Sequence, residues 1–215
     1  MRHDEMVAKM LLDLGAVVLR PGEPFRYVSG SVGPIYCDNR LLLSHPTERG
    51  KVIDAFCALA KPLGFETVCG IATAGIPHAA LLAERLGLPM VYVRDRKKDH
   101  GKERAVEGIL TKGQRVLMVE DLINTGGSSI RAVESVREEG GVVEDCLAIF
   151  SYDLAVAREA FGQASCRLHS LTTLPVLLKV AQQAGHLTKE DCALVADWAR
   201  SPKDWGARHG FGTQA

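Results

Sequence analysis

Glu120 and Asp121 stand side by side, and Leu122, Ile123 and Asn124 separate them from Thr125-Gly126-Gly127-Ser128. Carboxylates repel a phosphate but accept hydrogen bonds from hydroxyls. The glycines allow positive φ angles, so backbone N–H groups can turn inward around an anion. A ligand with a phosphate at one end and a vicinal diol beside it, a ribose 5-phosphate, fits this pairing. Residues 116–119, before the acids, form a short uncharged apolar run that predicts a strand buried on both faces. Residues 128–139, after the turn, place Ile130, Val133 and Val136 at helical spacing. Strand, Gly-rich turn and helix N-terminus together make a phosphate site. The turn has no Lys, which excludes the triphosphate loop G-x-x-x-x-G-K-[ST], and G-x-G-x-x-G is absent too. A plain strand and turn with a Ser/Thr helix cap shares part of this outline, but not the acids together with the glycines.

Other stretches could supply the rest of a site. Residues 67–71 predict a strand running into Ala72-Thr73-Ala74-Gly75, small residues that let the backbone approach a ligand closely. After a strand at 89–93 comes RDRKKDHGKERAVEG, dense in charge and without apolar periodicity. Read alone it is a solvated surface loop, yet its Arg, Lys and His suit an anionic ligand. Residues 25–40 read as two short strands joined by a Gly-containing turn. Helices are expected at 4–14, 47–60, 78–86, 154–161, 174–184 and 189–200, and further strands at 142–150 and, on a sheet edge, 167–170. The Gly-rich tail from Ser201 is expected to fray. Alternating strands and helices predict an α/β fold, a mostly parallel sheet with helices on both faces. Ligands of such sheets lie beyond the carboxyl ends of the strands, where the three loops would converge.

Composition narrows the function classes. The 215 residues point to one domain, and 47% hydrophobic residues suffice for a core. Lys plus Arg and Asp plus Glu balance at 26 each, so no basic field points to nucleic acid or an anionic membrane. No apolar run is long enough to span a bilayer, and the charged N-terminus lacks the apolar core of a signal peptide. Six scattered cysteines without C-x-x-C predict a reduced, cytoplasmic protein without structural zinc.

EDLINTGGS resembles the phosphoribosyl-diphosphate (PRPP) motif of type I phosphoribosyltransferases. With SG-x-x-x-PIYCDNR at residues 29–40, the resemblance narrows to orotate phosphoribosyltransferases of the shorter bacterial kind, over nearly the whole chain. It implies transfer of ribose 5-phosphate from PRPP to orotate, giving orotidine 5′-monophosphate and diphosphate in de novo pyrimidine (UMP) synthesis. It implies one domain over 1–215, with a hood over the base built from about 1–45 and the C-terminal helices. In the PRPP site it places Glu120, Asp121, Leu122, Ile123, Asn124, Thr125, Gly126, Gly127 and Ser128. Ala72, Thr73, Ala74 and Gly75 become the pyrophosphate loop, with a non-proline cis peptide at Ala72–Thr73. Arg94, Lys98, His100 and Gly101 fall on the catalytic-loop pattern, and Lys98, His100 and Asp121 are the implied catalytic residues. Mg²⁺ is implied as cofactor, held mainly through PRPP and water. A homodimer with shared active sites is implied, with no nucleic-acid or membrane partner.

The chain departs from this pattern at several points. Val28 and Val32 stand where relatives carry a hood Lys, Thr73-Ala74 replaces an aromatic-Lys pair, and Asp95 replaces a second loop Lys, for which Arg96 or Lys97 is a substitute. Asn124, the implied orotate contact, replaces a Thr or Ser. Tyr152 replaces the Arg by which longer relatives hold the orotate carboxylate, and leaves Arg40 as an alternative cation. Two other readings remain: a purine or uracil transferase of the same fold, and a PRPP-binding regulatory protein without catalysis.

Overall fold

The computed structural model describes residues 2–94 and 105–212. A six-stranded sheet forms its centre, in the order β10-β9-β8-β5-β6-β7. These strands are β5 (Thr67–Ile71), β6 (Met90–Val93), β7 (Val106–Glu107), β8 (Arg115–Ile123), β9 (Val142–Ser151) and β10 (Arg167–Thr173). All neighbours are parallel except β7, which pairs antiparallel with β6. Three of the four parallel pairs are joined by a helix, α3 (Gly75–Leu86) between β5 and β6, α4 (Gly127–Glu138) between β8 and β9, and α5 (Ala155–Gln163) between β9 and β10. The expected α/β class is what the chain adopts. The small edge strand β7 was not foreseen: buried Val106 lies at the end of the charge-dense stretch, where its single apolar side chain gave no period to read.

Strand alternation divides the core. Leu117, Val119, Leu147 and Ile149 face one cluster, with α1 (His3–Asp13), α2 (Pro46–Ala60), α6 (Leu174–Gln183) and α7 (Lys189–Arg200). Val116, Met118, Cys146 and Ala148 face the other, under α4 and α5. Both faces of β8 are therefore dry, as its uncharged run requires.

The N-terminal region forms two antiparallel pairs. β1 (Val17–Leu19) pairs with β4 (Ile35–Cys37), and β2 (Phe25–Arg26) pairs with β3 (Val32–Gly33). A 3₁₀ turn, Asn39–Ser44, follows. The C-terminal tail is packed rather than frayed as far as Gly212. A last short helix, α8 (Trp205–Arg208), buries Trp205 completely, and Phe211 stacks on it at 5.2 Å. The glycines marked the tail as loose, but a buried indole outweighs them.

Candidate active site

Strand β8 carries the acids, and it does not stop where expected. Both were expected at a strand end, because neighbouring strand residues point to opposite faces. Instead β8 continues to Ile123, since β9 goes on pairing with it as far as Ile123–Ser151. On its other side the pairing ends at Gly70–Val119, although β5 goes on pairing with β6 as far as Ile71. The acids thus lie within a strand, on a segment that has lost one neighbour.

They occupy different surroundings. Glu120 is buried beneath the first turn of α4, with Ser129 Oγ 3.5 Å from one carboxyl oxygen. Its other oxygen accepts the Asp121 N–H at 2.9 Å. Asp121 is half-buried on the side of the 3₁₀ turn, where the buried Asn39 amide donates to its carbonyl at 2.8 Å. Burial raises the pKa of both acids, and the Asp121 carboxyl raises Glu120 further. The pair therefore resists carrying two negative charges at once. A cation or a set of hydroxyl donors placed against it relieves that repulsion.

The small-residue loop reaches this segment. The Ala72–Thr73 peptide is cis, as expected. Gly75 opens α3 against β8: a Cβ there would lie 2.4 Å from the Val119 carbonyl oxygen and 3.3 Å from Glu120 Cα. Only a glycine lets the loop lie this close to the acids. Beyond β8, Gly126 takes φ +81° and caps α4. A side chain at Gly126 would press on the Phe161 ring, 3.1 Å away. The turn then presents the first N–H groups of a 12-residue helix, which have no partner within it.

Two cavities flank this turn. The larger, about 850 Å³, is lined by Leu122, Asn124 and Thr125, by Tyr27, Tyr36 and Cys37, and by Tyr152 and Trp198. The smaller, about 260 Å³, is lined by Ala72, Arg94, Ser128 and Arg131. Arg94 pairs with Glu107 on β7. Lys98, His100 and Gly101, with Asp95, Arg96 and Lys97, lie outside the described residues. Arg40 is committed elsewhere: its guanidinium binds both Asp38 oxygens, at 2.6 and 2.8 Å, and it does not line the larger cavity.

The larger cavity also has a C-terminal wall that runs on past Arg200 into the segment expected to fray. Tyr152 and Trp198 meet edge to face at 5.3 Å, and residues 199–204 continue the lining. Arg26 donates to the Gly212 carbonyl at 3.0 Å, and a Cβ on Gly206 would meet Val32 at 3.0 Å. Trp198 and Trp205 were the available signal, since two indoles in a short polar tail must find apolar cover.

A family profile described as phosphoribosyl transferase domain matches residues 57–150. The chain is 46% identical to the orotate phosphoribosyltransferase of Coxiella burnetii, over 93% of this chain and 96% of that one. It is equally 46% identical to the Lactiplantibacillus plantarum enzyme of that name, over 93% and 95%. Among solved structures, orotate phosphoribosyltransferase from Aeropyrum pernix superposes with a TM-score of 0.73 at 33% identity, covering 85% of this chain and 99% of that one. The Mycobacterium tuberculosis enzyme in complex with PRPP gives 0.65 at 25% identity, over 82% and 99%. With this kinship along nearly its whole length and with this fold, the chain belongs to the orotate phosphoribosyltransferase family.

Proposed function

We propose that the chain transfers ribose 5-phosphate from PRPP to orotate, releasing diphosphate. The C1–O bond to diphosphate breaks with its electron pair on the leaving group. A C–N bond to the orotate ring forms, and the ring nitrogen gives up its proton. The observation that carries this reading is the Gly-rich turn between two cavities, with acids on one flank and a close-packed small-residue loop on the other.

In this reading Thr125, Gly126, Gly127 and Ser128 hold the 5-phosphate through the helix N-terminus. Asp121, with Glu120 behind it, takes the ribose hydroxyls, and Leu122 and Ile123 supply backbone. Fixed negative charge lies where the ring becomes oxocarbenium-like, so it lowers the barrier more than it strengthens binding. Ala72 to Gly75 and Arg94 receive the diphosphate, and Lys98 and His100 close over it and exclude water. Asn124 meets orotate in the larger cavity. Mg²⁺ would be held mainly through PRPP and water, with no direct protein ligand, and would supply positive charge that neutralises the diphosphate. Among the described residues there is no group of three or more His, Cys, Asp or Glu that could hold a metal ion.

We further read 1–215 as one domain, with β1 to β4 and the C-terminal helices as the hood. The molecule works as a homodimer in which each catalytic loop serves the partner's site. Among the described residues no helix is long and apolar enough to cross a membrane. All six cysteines are free, in keeping with a reduced cytoplasmic setting. The test is the loss of orotate absorbance with PRPP and Mg²⁺, run beside hypoxanthine, xanthine and uracil. Orotate should be consumed and the others should not; turnover of another base in its place would overturn the assignment.

A further inference from the structure

Orotate carries a carboxylate, and a buried anion needs a cation or several N–H donors. The positions that supply cations in relatives are here Val28, Val32 and Tyr152, and Arg40 pairs with Asp38 and is not among the residues lining the larger cavity. Among the described residues lining that cavity, the cations are Arg200 and Lys203, both at the C-terminal end. The one lining acid, Asp204, accepts from Ser201 Oγ at 2.5 Å and faces Arg208 at 3.8 Å. Arg200 shares Asp197, at 3.1 Å, with Arg208 at 2.7 Å and His209 at 2.8 Å. Lys203 has no ion pair among the described residues, and its side chain is exposed at the cavity rim.

The wall that bears these cations is anchored. Trp205, two residues after Lys203, is fully buried, and its indole N–H donates to the Leu194 carbonyl at 3.0 Å. A Cβ on Gly33 would lie 2.7 Å from the Trp198 ring nitrogen, so this wall and β3 are in close contact. A fixed backbone with a free ammonium on a flexible stem suits the recognition of a point charge.

We propose that Lys203, backed by Arg200, binds the carboxylate of the base, so that the C-terminal turn sets base specificity. The proposal rests on the orotate reading above and deepens it. It replaces the lost hood and strand cations by charge from the C-terminal wall of the same cavity. Lys203 is a specificity residue and takes no part in cleavage of the C1–O bond.

The experiment measures KM for orotate, KM for PRPP and kcat in the parent, Lys203→Gln, Lys203→Arg and Lys203→Gln with Arg200→Gln. Lys203→Gln should raise the orotate KM about tenfold, as loss of one charged contact does, and leave the PRPP KM unchanged. The double variant should rise further, and Lys203→Arg should recover most of the loss. The preference for orotate over uracil should shrink by the same factor. An unchanged orotate KM in both glutamine variants would overturn the proposal. So would equal losses toward PRPP and orotate, which indicate a merely structural role. A parent that consumes PRPP with another base and not with orotate would defeat the functional reading itself, and this inference with it.

Discussion

Asp121 carries a charge that the folded chain does not favour. Its pKa is raised, and that of Glu120 with it, so the fold disfavours negative charge on both carboxyls at once. For a raised value the stabilising contribution belongs to the protonated form, is complete below the unfolded pKa and is lost as pH rises through the folded one. Asp121→Asn should therefore melt no lower than the parent at neutral pH. Its kcat should fall at least about tenfold, a loss of about 1.4 kcal/mol of transition-state stabilisation. Thermal melts and steady-state kinetics on one preparation check both, and an undiminished kcat would remove Asp121 from the mechanism. His78 gives the opposite sign. Burial lowers its pKa to about 4, and both ring nitrogens are buried without a hydrogen-bond partner among the described residues. The folded chain then binds fewer protons than the unfolded one between about pH 6.5 and 4, so stability is lost as pH falls through that window, by up to about 3 kcal/mol. The stability difference between the parent and His78→Gln should shift against the parent across that interval, measured by denaturant titration at several pH values. That Asp121, Thr125 and Ser128 lie about one Gly-rich turn was legible in the sequence, because an acid, a hydroxyl and glycines show in residue type. For Arg40 an ion pair at the strand end was as open a reading as an orotate contact, and its guanidinium takes the ion pair, with Asp38.

At the scale of elements, the site depends on how closely the Ala72–Gly75 loop lies against β8. Gly75→Ala would force a methyl group onto the Val119 carbonyl, 2.4 Å from its Cβ position. Overpacking of this kind costs about 1–3 kcal/mol. The loop must also withdraw from the acids, so the PRPP KM should rise while the orotate KM changes little. Chemical denaturation and two-substrate kinetics report the two effects, and a variant with unaltered stability would mean that the backbone yields there freely. Strands β5 and β8 and helix α4 were readable from apolar runs followed by small residues. The end of β8 was misplaced because pairing with β9, not residue type, carries the strand through two acids. The C-terminal wall was misread for a related reason: Gly-rich sequence signals looseness locally, whereas Trp198 and Trp205 are fixed by distant partners.

At the scale of the whole molecule, the fold brings the Ala72–Gly75 loop, the Gly-rich turn and the C-terminal wall to the carboxyl end of one parallel sheet, the place where such sheets bind ligands. The fold class was legible because strand and helix periods alternate along the chain. Residues contributed by a second chain leave no such mark. If loop and cradle come from different protomers, Lys98→Ala and Asp121→Ala homodimers are each defective at both sites. A heterodimer of the two carries both defects at one site and neither at the other. Mixing the variants under subunit exchange should restore activity, and no recovery despite demonstrated heterodimers would exclude a shared site. The central claim is tested most directly by product stoichiometry. Purified protein given orotate, PRPP and Mg²⁺ should form orotidine 5′-monophosphate and diphosphate in equal amounts, each matching the orotate consumed. PRPP binding without either product, or diphosphate released in step with a purine or uracil nucleotide instead, would contradict it.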